Sequence, residues 1–427
     1  MENQPKTTVR RHRRIIMFPF PFQGHINPMF QLANLLYSEG FSITILHTNF
    51  NAPKVSNYSH FTFKSILDDC PENERYSKAS WADFAQNFIY KQDDAFWHFT
   101  QKVADSLNLP RLVLRTSSLY CTIVYSSIPL LDDRGYFTLD ESHLEEQVVE
   151  LPLLKVKDVI GIKSIKDPYA ELICDMVKET KASSGIIWNS FKELEETELK
   201  RVSDDFLVPH FLIPFPKYFT ASSSSLLEQD RTIFPWLDQQ LPKSVVYVSF
   251  GSLSQVEEKE FLEIAHGLVY SKQPFLWVVR HGFVKSSTWH ESLPEGFPGE
   301  RGRVVEWAPQ QDVLANEATG VFWIHSGWNS TLESICEGVP MICSSFWGDQ
   351  PLDARYMSEV SRVGVYLENG LQREEIASAI RRLMVDEEGK EIRERARVLK
   401  RKADVSVTKG GSSNESVKTL IDYISSL

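Results

Sequence analysis

Between Trp307 and Gln350 the chain gathers side chains suited to holding a nucleotide and a sugar. The centre reads Val321-Phe322-Trp323-Ile324-His325-Ser326-Gly327-Trp328-Asn329-Ser330-Thr331-Leu332-Glu333. The apolar run suits a buried strand, Ser326-Gly327 breaks it, and Asn329, Ser330 and Thr331 are good helix starters. A turn at a strand's carboxyl end, followed by a helix N-terminus, offers free backbone N–H groups and the positive end of a dipole. That combination attracts a phosphate ester. Trp307 and Gln310 add a flat apolar face and an amide, suited to a base. Asp349 and Gln350 add two groups that seek hydroxyls. Polar caps on a strand-turn-helix unit are also ordinary turn chemistry, and the centre taken alone supports both readings.

A second candidate is His25, in the stretch Pro21 to Asn27. This turn joins the first strand to its helix, at the carboxyl edge where α/β proteins bind ligands. An imidazole there can take a proton from a hydroxyl near neutral pH. By position alone it is equally an ordinary polar loop residue.

The elements that carry these residues form two series. Arg14 to Phe20 reads as a strand, Pro28 suits a first helical position, and a helix runs to about Ser38. Phe41 to His47 and Phe61 to Ile66 are further strands, so the chain opens as β-α-β. Leu67 to Asp94 follows no clear period, although Trp81 to Phe88 suits a helix. Ala95 to Leu107 is helical, Leu112 to Thr116 a strand, Tyr169 to Thr180 a helix, Gly185 to Trp188 a strand and Phe191 to Leu199 a helix. Phe211 to Gln229, with its prolines and Ala221-Ser222-Ser223-Ser224-Ser225, reads as a linker. A second series follows, with strands at Val245 to Phe250, Phe275 to Val279, Val304-Val305, Val321 to Ile324 and Val339 to Cys343. Helices are expected at Glu257 to Tyr270, Leu352 to Glu359, Arg373 to Val385, Glu391 to Ala403 and Ser416 to Ile424. Two Rossmann-like halves result.

The 427 residues suffice for two cores, and 42% hydrophobic with 24% charged residues is ordinary for a globular chain. A net charge of -11 argues against nucleic acid as a partner. The five cysteines are widely spaced with no Cys-x-x-Cys pair, which suggests neither a disulfide framework nor a zinc site and fits a reducing cytosol. No apolar run approaches the ~18 residues of a membrane span. The N-terminal arginines lead into only a short apolar run, unlike a secretory signal. A cytoplasmic monomer is expected.

Trp307, Gln310, His325, Gly327, Trp328, Asn329, Ser330, Glu333, Asp349 and Gln350 together match the signature box of plant UDP-dependent glycosyltransferases of small molecules, which the chain resembles over nearly its whole length. The similarity is greatest to the group containing steviol glycoside and cytokinin glucosyltransferases. The resemblance implies a GT-B fold: two Rossmann-like, doubly wound parallel-sheet domains facing a cleft. Residues 1–210 would bind the acceptor, 211–231 link, 232–410 bind the UDP-sugar, and 411–427 form a helix packing back on the N-terminal domain. It implies Trp307 on uracil, Gln310 beside the uridine, and Glu333 on the ribose. His325, Asn329, Ser330 and Ser252 would face the diphosphate, with Gly327 in the turn. Trp328, Asp349 and Gln350 would contact the sugar, glucose being favoured. UDP-glucose is then a co-substrate, with no metal and no other cofactor. His25 would be the general base of an inverting transfer to a hydroxyl of a small lipophilic metabolite (terpenoid, flavonoid or hormone-like), with Asp94 as its partner. Asp94 is also a natural N-cap for the helix that follows. Phe20, Phe22, Phe84, Phe88 and Trp97 are candidates for an apolar acceptor wall, and equally for core packing.

The chain departs from the pattern before Asp94. Family members carry an extra helix and an apolar strand there, and this chain is shorter by a few tens of residues, with polar Lys91-Gln92-Asp93 in place of strand residues. A parallel sheet lacking a strand leaves neighbouring backbone groups short of partners. A UDP-sugar-binding protein with impaired or no transfer is therefore the alternative reading.

Overall fold

The computed structural model describes residues 13–48, 52–66, 99–159, 168–219, 224–285, 293 and 296–427. The expected helix at Trp81 to Phe88, and the candidates Asp94, Phe84, Phe88 and Trp97, lie outside them.

Among the described residues the C-terminal half holds one sheet and the N-terminal half two, all with parallel pairing. In the N-terminal half β1 (Arg14–Met17), β2 (Ser42–Thr48) and β3 (Thr62–Ile66) form one sheet in the order β1-β2-β3. β4 (Leu112–Arg115), β5 (Gly185–Trp188) and β6 (His210–Leu212) form another in the order β4-β5-β6. Among the described residues β1 pairs only with β2 and β4 only with β5, so each keeps one free edge. Both sheets back onto one core, in which Met17, Ile43 and Ile45 cluster with Ile187, Phe211 and Phe215. The halves 3-2-1 and 4-5-6 of a doubly wound sheet are both present, divided between β1 and β4.

The C-terminal half carries β7 (Val245–Ser249), β8 (Phe275–Val278), β9 (Gly302–Val305), β10 (Thr319–Ile324), β11 (Met341–Cys343) and β12 (Gly364–Tyr366). Their order is β12-β11-β10-β7-β8-β9, the doubly wound pattern. β7, β8 and β10 are buried at every position, which explains their near-continuous apolar sequences.

Helix α1 (Gln23–Ser38) begins five residues before Pro28, so Pro28 lies inside it rather than at its start. α2 (Leu119–Ser126), α3 (Gln310–Ala315), α4 (Trp328–Glu337) and α5 (Gln350–Arg355) follow along the chain. The last helix, α6 (Ser412–Ser426), returns to the N-terminal half. Ser416 Oγ accepts from Leu212 N at 2.7 Å, and Val417, Leu420, Ile421 and Ile424 join the core of β1, β2 and β6.

Two expectations fail locally. The helix expected at Phe191 to Leu199 runs instead over Glu196–Asp205. Glu195 is drawn out of helical geometry to accept the Leu119 and Tyr120 amides at 2.8 and 3.3 Å. Burial pushes its carboxyl up to about 8. The stretch read as linker from Phe211 begins as β6, because Phe211, Ile213 and Phe215 are buried in the shared core. β12 and α2 were not anticipated.

Candidate active site

The six-stranded sheet reverses its winding between β7 and β10, the switch point where α/β sheets bind ligands. Two turns flank that point: Gly251 to Leu253 after β7, and His325 to Gly327 after β10. The His325 ring is wedged between two glycines. A Cβ on Gly327 would stand 2.4 Å from its Nε2, and one on Gly251 2.7 Å from its Cε1. Arg280 secures the first turn, donating from Nε to the Gly251 carbonyl at 3.1 Å and from Nη2 to the Ser254 carbonyl. Burial, and then the Arg280 guanidinium, hold the His325 imidazole down at about 4. Its Nδ1 is buried without a partner.

Helix α4 starts at Trp328, not at Asn329, and its N-cap is Gly327, which has no side chain to close it. The first helical bond runs from Thr331 N to Gly327 O at 3.1 Å. The amides of Trp328, Asn329 and Ser330 therefore have no helical acceptor. Ser326 takes the left-handed conformation at φ +60° and donates from Oγ to the Ser344 carbonyl at 2.8 Å, fixing the turn. An uncapped helix start beside a rigid turn is an anion site.

Around it the sequence candidates converge on one cleft of about 1540 Å3 lined by both halves of the chain. Gln310, the first residue of α3, donates from Nε2 to Ser330 Oγ at 3.0 Å and to Glu333 Oε2 at 2.7 Å. Burial pushes the Glu333 carboxyl up to about 7, against the Gln310 hydrogen bond. Trp307 is half-buried, its indole N–H donating to Ser225 Oγ at 3.1 Å. Gln350 accepts through Oε1 from the Phe346 and Trp347 amides at 2.8 and 3.3 Å, which shapes the loop carrying Asp349. Burial raises the Asp349 carboxyl, and Arg115 opposes the rise. The Trp328 ring, expected at the sugar, is turned to the other half: it is 2% exposed and donates to the Asn189 carbonyl at 2.7 Å. Its backbone amide remains at the helix start. Ser252 lines the cleft.

His25 faces this assembly from the third position of α1. Its Nδ1 lies 3.1 Å from Thr116 Oγ1, and its ring meets Phe20 edge-on at 5.2 Å. Burial, and then the Arg115 guanidinium, hold the imidazole down at about 4. Phe22, 5% exposed, also lines the cleft. Thr116 was missed as a partner of His25; its place just after β4, on the same carboxyl edge, was the available signal.

One contact closes the two halves over the cleft. Pro28 has no N–H, so the Gly24 carbonyl lacks the helical donor it would otherwise have. Asn329 Nδ2 donates to that carbonyl instead, and Asn329 Oδ1 accepts from Asn189 Nδ2 at 2.9 Å. Gly24 makes the approach possible: a Cβ there would stand 3.3 Å from Asn329 Nδ2.

Among the described residues no group of three or more His, Cys, Asp or Glu side chains is placed to hold a metal ion. No helix among them is long and apolar enough to cross a membrane.

The family described as UDP-glucoronosyl and UDP-glucosyl transferase matches residues 85–401. The UDP-glycosyltransferase 76G1 of Stevia rebaudiana is 60% identical over 460 residues, covering 100% of each chain. That alignment is longer than this chain, so the relative carries residues that this one lacks. The UDP-glycosyltransferase 76B1 of Arabidopsis thaliana is 45% identical over 436 residues, covering 96% of this chain and 97% of its own. Among solved structures, Phytolacca americana UGT2 complexed with UDP-2fluoro-glucose and pterostilbene superposes with a TM-score of 0.77 at 26% identity, covering 96% of this chain and 99% of its own. A transferase from Siraitia grosvenorii in complex with UDP gives 0.76 at 28%, with the same coverage.

Proposed function

The chain belongs to the UDP-glycosyltransferase family and has its GT-B fold, and we propose that it transfers glucose from UDP-glucose to a hydroxyl of a small lipophilic plant metabolite with inversion at the sugar. The observation that carries this reading is the uncapped start of α4 facing His25 across one cleft. The free amides of Trp328, Asn329 and Ser330, with Ser252 and His325, receive the diphosphate. Trp307 stacks on uracil beside Gln310, and Glu333 accepts from the ribose hydroxyls. Asp349 and the Gln350 amide hold the sugar.

With Nδ1–H directed to Thr116 Oγ1, the Nε2 lone pair of His25 is left for the acceptor. The acceptor oxygen gives its proton to Nε2 and bonds to the anomeric carbon. The bond from that carbon to the diphosphate oxygen breaks, and its electron pair leaves with UDP. The helix-end amides stabilise the departing charge, so this reading needs no metal. Asp94 is assigned to support His25 by resemblance alone, as are Phe84, Phe88 and Trp97 to the acceptor wall. The domain limits given by resemblance, a monomeric state and a cytoplasmic location belong to the same proposal.

The test is UDP release from UDP-glucose with a panel of terpenoid alcohols, flavonols and cytokinins, for the unmodified chain and His25→Ala. Turnover abolished by His25→Ala is expected. UDP binding with no turnover, unchanged by the substitution, would leave a nucleotide-sugar-binding protein instead.

A further inference from the structure

Arg115 ends β4, and its guanidinium is buried in the wall of the cleft at 8% exposure. It donates from Nη2 to Ser117 Oγ at 3.1 Å, and its Nε is buried with no hydrogen-bond partner. No carboxylate among the described residues forms an ion pair with it. The titratable groups that face it are His25 from α1, Cys121 and Tyr125 from α2, and Asp349 from the loop before α5. A buried guanidinium ordinarily has a carboxylate or several acceptors, because an unpaired buried charge is costly. Here, among the described residues, Ser117 is the one acceptor its guanidinium meets, and Arg115 lines the same cleft as His25. The diphosphate is provided for elsewhere in the cleft, at the start of α4.

We propose that Arg115 binds a carboxylate carried by the acceptor, so that this transferase prefers small hydroxylated carboxylic acids, gripped by the acid group while a hydroxyl reaches His25. The proposal rests on the transferase reading above and adds the substrate class. The planar guanidinium fork matches a carboxylate through two parallel N–H bonds, and a charge-assisted pair at a buried guanidinium is strong. It also couples binding to chemistry. Arg115 depresses the basicity of His25, and a bound carboxylate that neutralises Arg115 relieves that depression. An acidic acceptor thus makes its own base stronger on arrival. A uronic acid on the donor sugar offers the same carboxylate chemistry, so the experiment must separate the two.

Matched pairs of hydroxylated terpenoid and phenolic acids and their methyl esters serve as probes. Each is measured for UDP release with UDP-glucose, and for binding by calorimetry in the presence of UDP. The chains compared are the unmodified protein, Arg115→Met and Arg115→Lys. The expected preference for acid over ester is roughly ten- to a hundredfold in kcat/KM. Arg115→Met collapses that ratio, and Arg115→Lys restores part of it. A purely structural role for Arg115 lowers acid and ester alike and leaves the ratio untouched, which overturns the proposal. An Arg115-dependent preference in binding without turnover upholds the carboxylate site and defeats the transferase reading. Turnover with no preference for acids does the reverse. Failure of every acid to bind overturns the proposal. Loss of UDP-glucuronate use in Arg115→Met, with the acid-to-ester ratio preserved, moves the carboxylate to the donor and defeats it too. A product that releases glucose in mild alkali is an ester, places the carboxylate at the sugar carbon, and defeats it likewise.

Discussion

Gly327→Ala puts a methyl group where Nε2 of His325 stands only 2.4 Å away and Cε1 3.1 Å away. The obstacle is a ring, not the far end of a flexible chain. Its freedom to move away is limited by Gly251 as well, where a Cβ would stand 2.7 Å from Cε1. The strain therefore goes into the turn. Overpacking of this kind costs about 1–3 kcal/mol. The turn also sets the direction of the Trp328, Asn329 and Ser330 amides, so the cost falls on the bound state when those amides must converge on a diphosphate. UDP affinity should fall by roughly five- to a hundredfold, read by titration calorimetry. Turnover should fall further, since small misplacements are amplified in the reacting geometry. His325→Ala in the same chain removes the obstacle and should return part of the UDP affinity, giving a positive coupling in the double-mutant cycle. A Gly327→Ala protein that binds UDP like the unmodified chain, or a double variant no better than the single one, would refute the account of the turn.

Glu333 has its pKa raised by burial from 4.5 to about 7. If its carboxylate accepts from the ribose, UDP-glucose affinity should rise with pH up to about 7 and level off above it, and Glu333→Gln should flatten the dependence. The same shift favours the folded chain fully below pH 4.5, a contribution lost as pH rises through 7. His25 is shifted the other way, from 6.5 to about 4, so its contribution to stability is present above 6.5 and lost as pH falls towards 4. The acid limb of kcat/KM for a neutral acceptor should accordingly lie near 4, not near 6.5. Trp328→Phe removes the donor to the Asn189 carbonyl at 2.7 Å between the two halves. An orphaned buried acceptor costs about 1–3 kcal/mol, which a lowered Tm in scanning calorimetry should register.

The C-terminal half was legible because its strands are buried on both faces and its turns carry their own punctuation. β7 and β10 read directly as apolar runs ending in glycine turns. What the sequence could not give was the far end of each contact. Trp328 has the look of a ligand residue, yet its ring is spent on Asn189, more than a hundred positions earlier. Nothing local in Leu112 to Thr116 marks Arg115 and Thr116 as walls of the same cleft as His25; that follows only from how β4 lies relative to α1. α2 escaped notice because Leu119 through Val124 are all buried, so the helix has no polar face to set a period. β12 is three residues long, too short for any pattern. Helix starts were misjudged where the cap carries no side-chain hydrogen bond: with Gly327 as N-cap the polar Asn329 looked better suited, and with Phe22 as N-cap Pro28 did.

Pro28 has a consequence in time as well as in shape. The carbonyl of Gly24 has no donor to return to within its own helix, so it always depends on something outside. While the halves are shut, that is Asn329. Were they to part as UDP leaves, water would take its place, and α1 itself need not change. Each catalytic cycle would then make and break this bond without unwinding anything, which suits a clasp that must open as often as product departs.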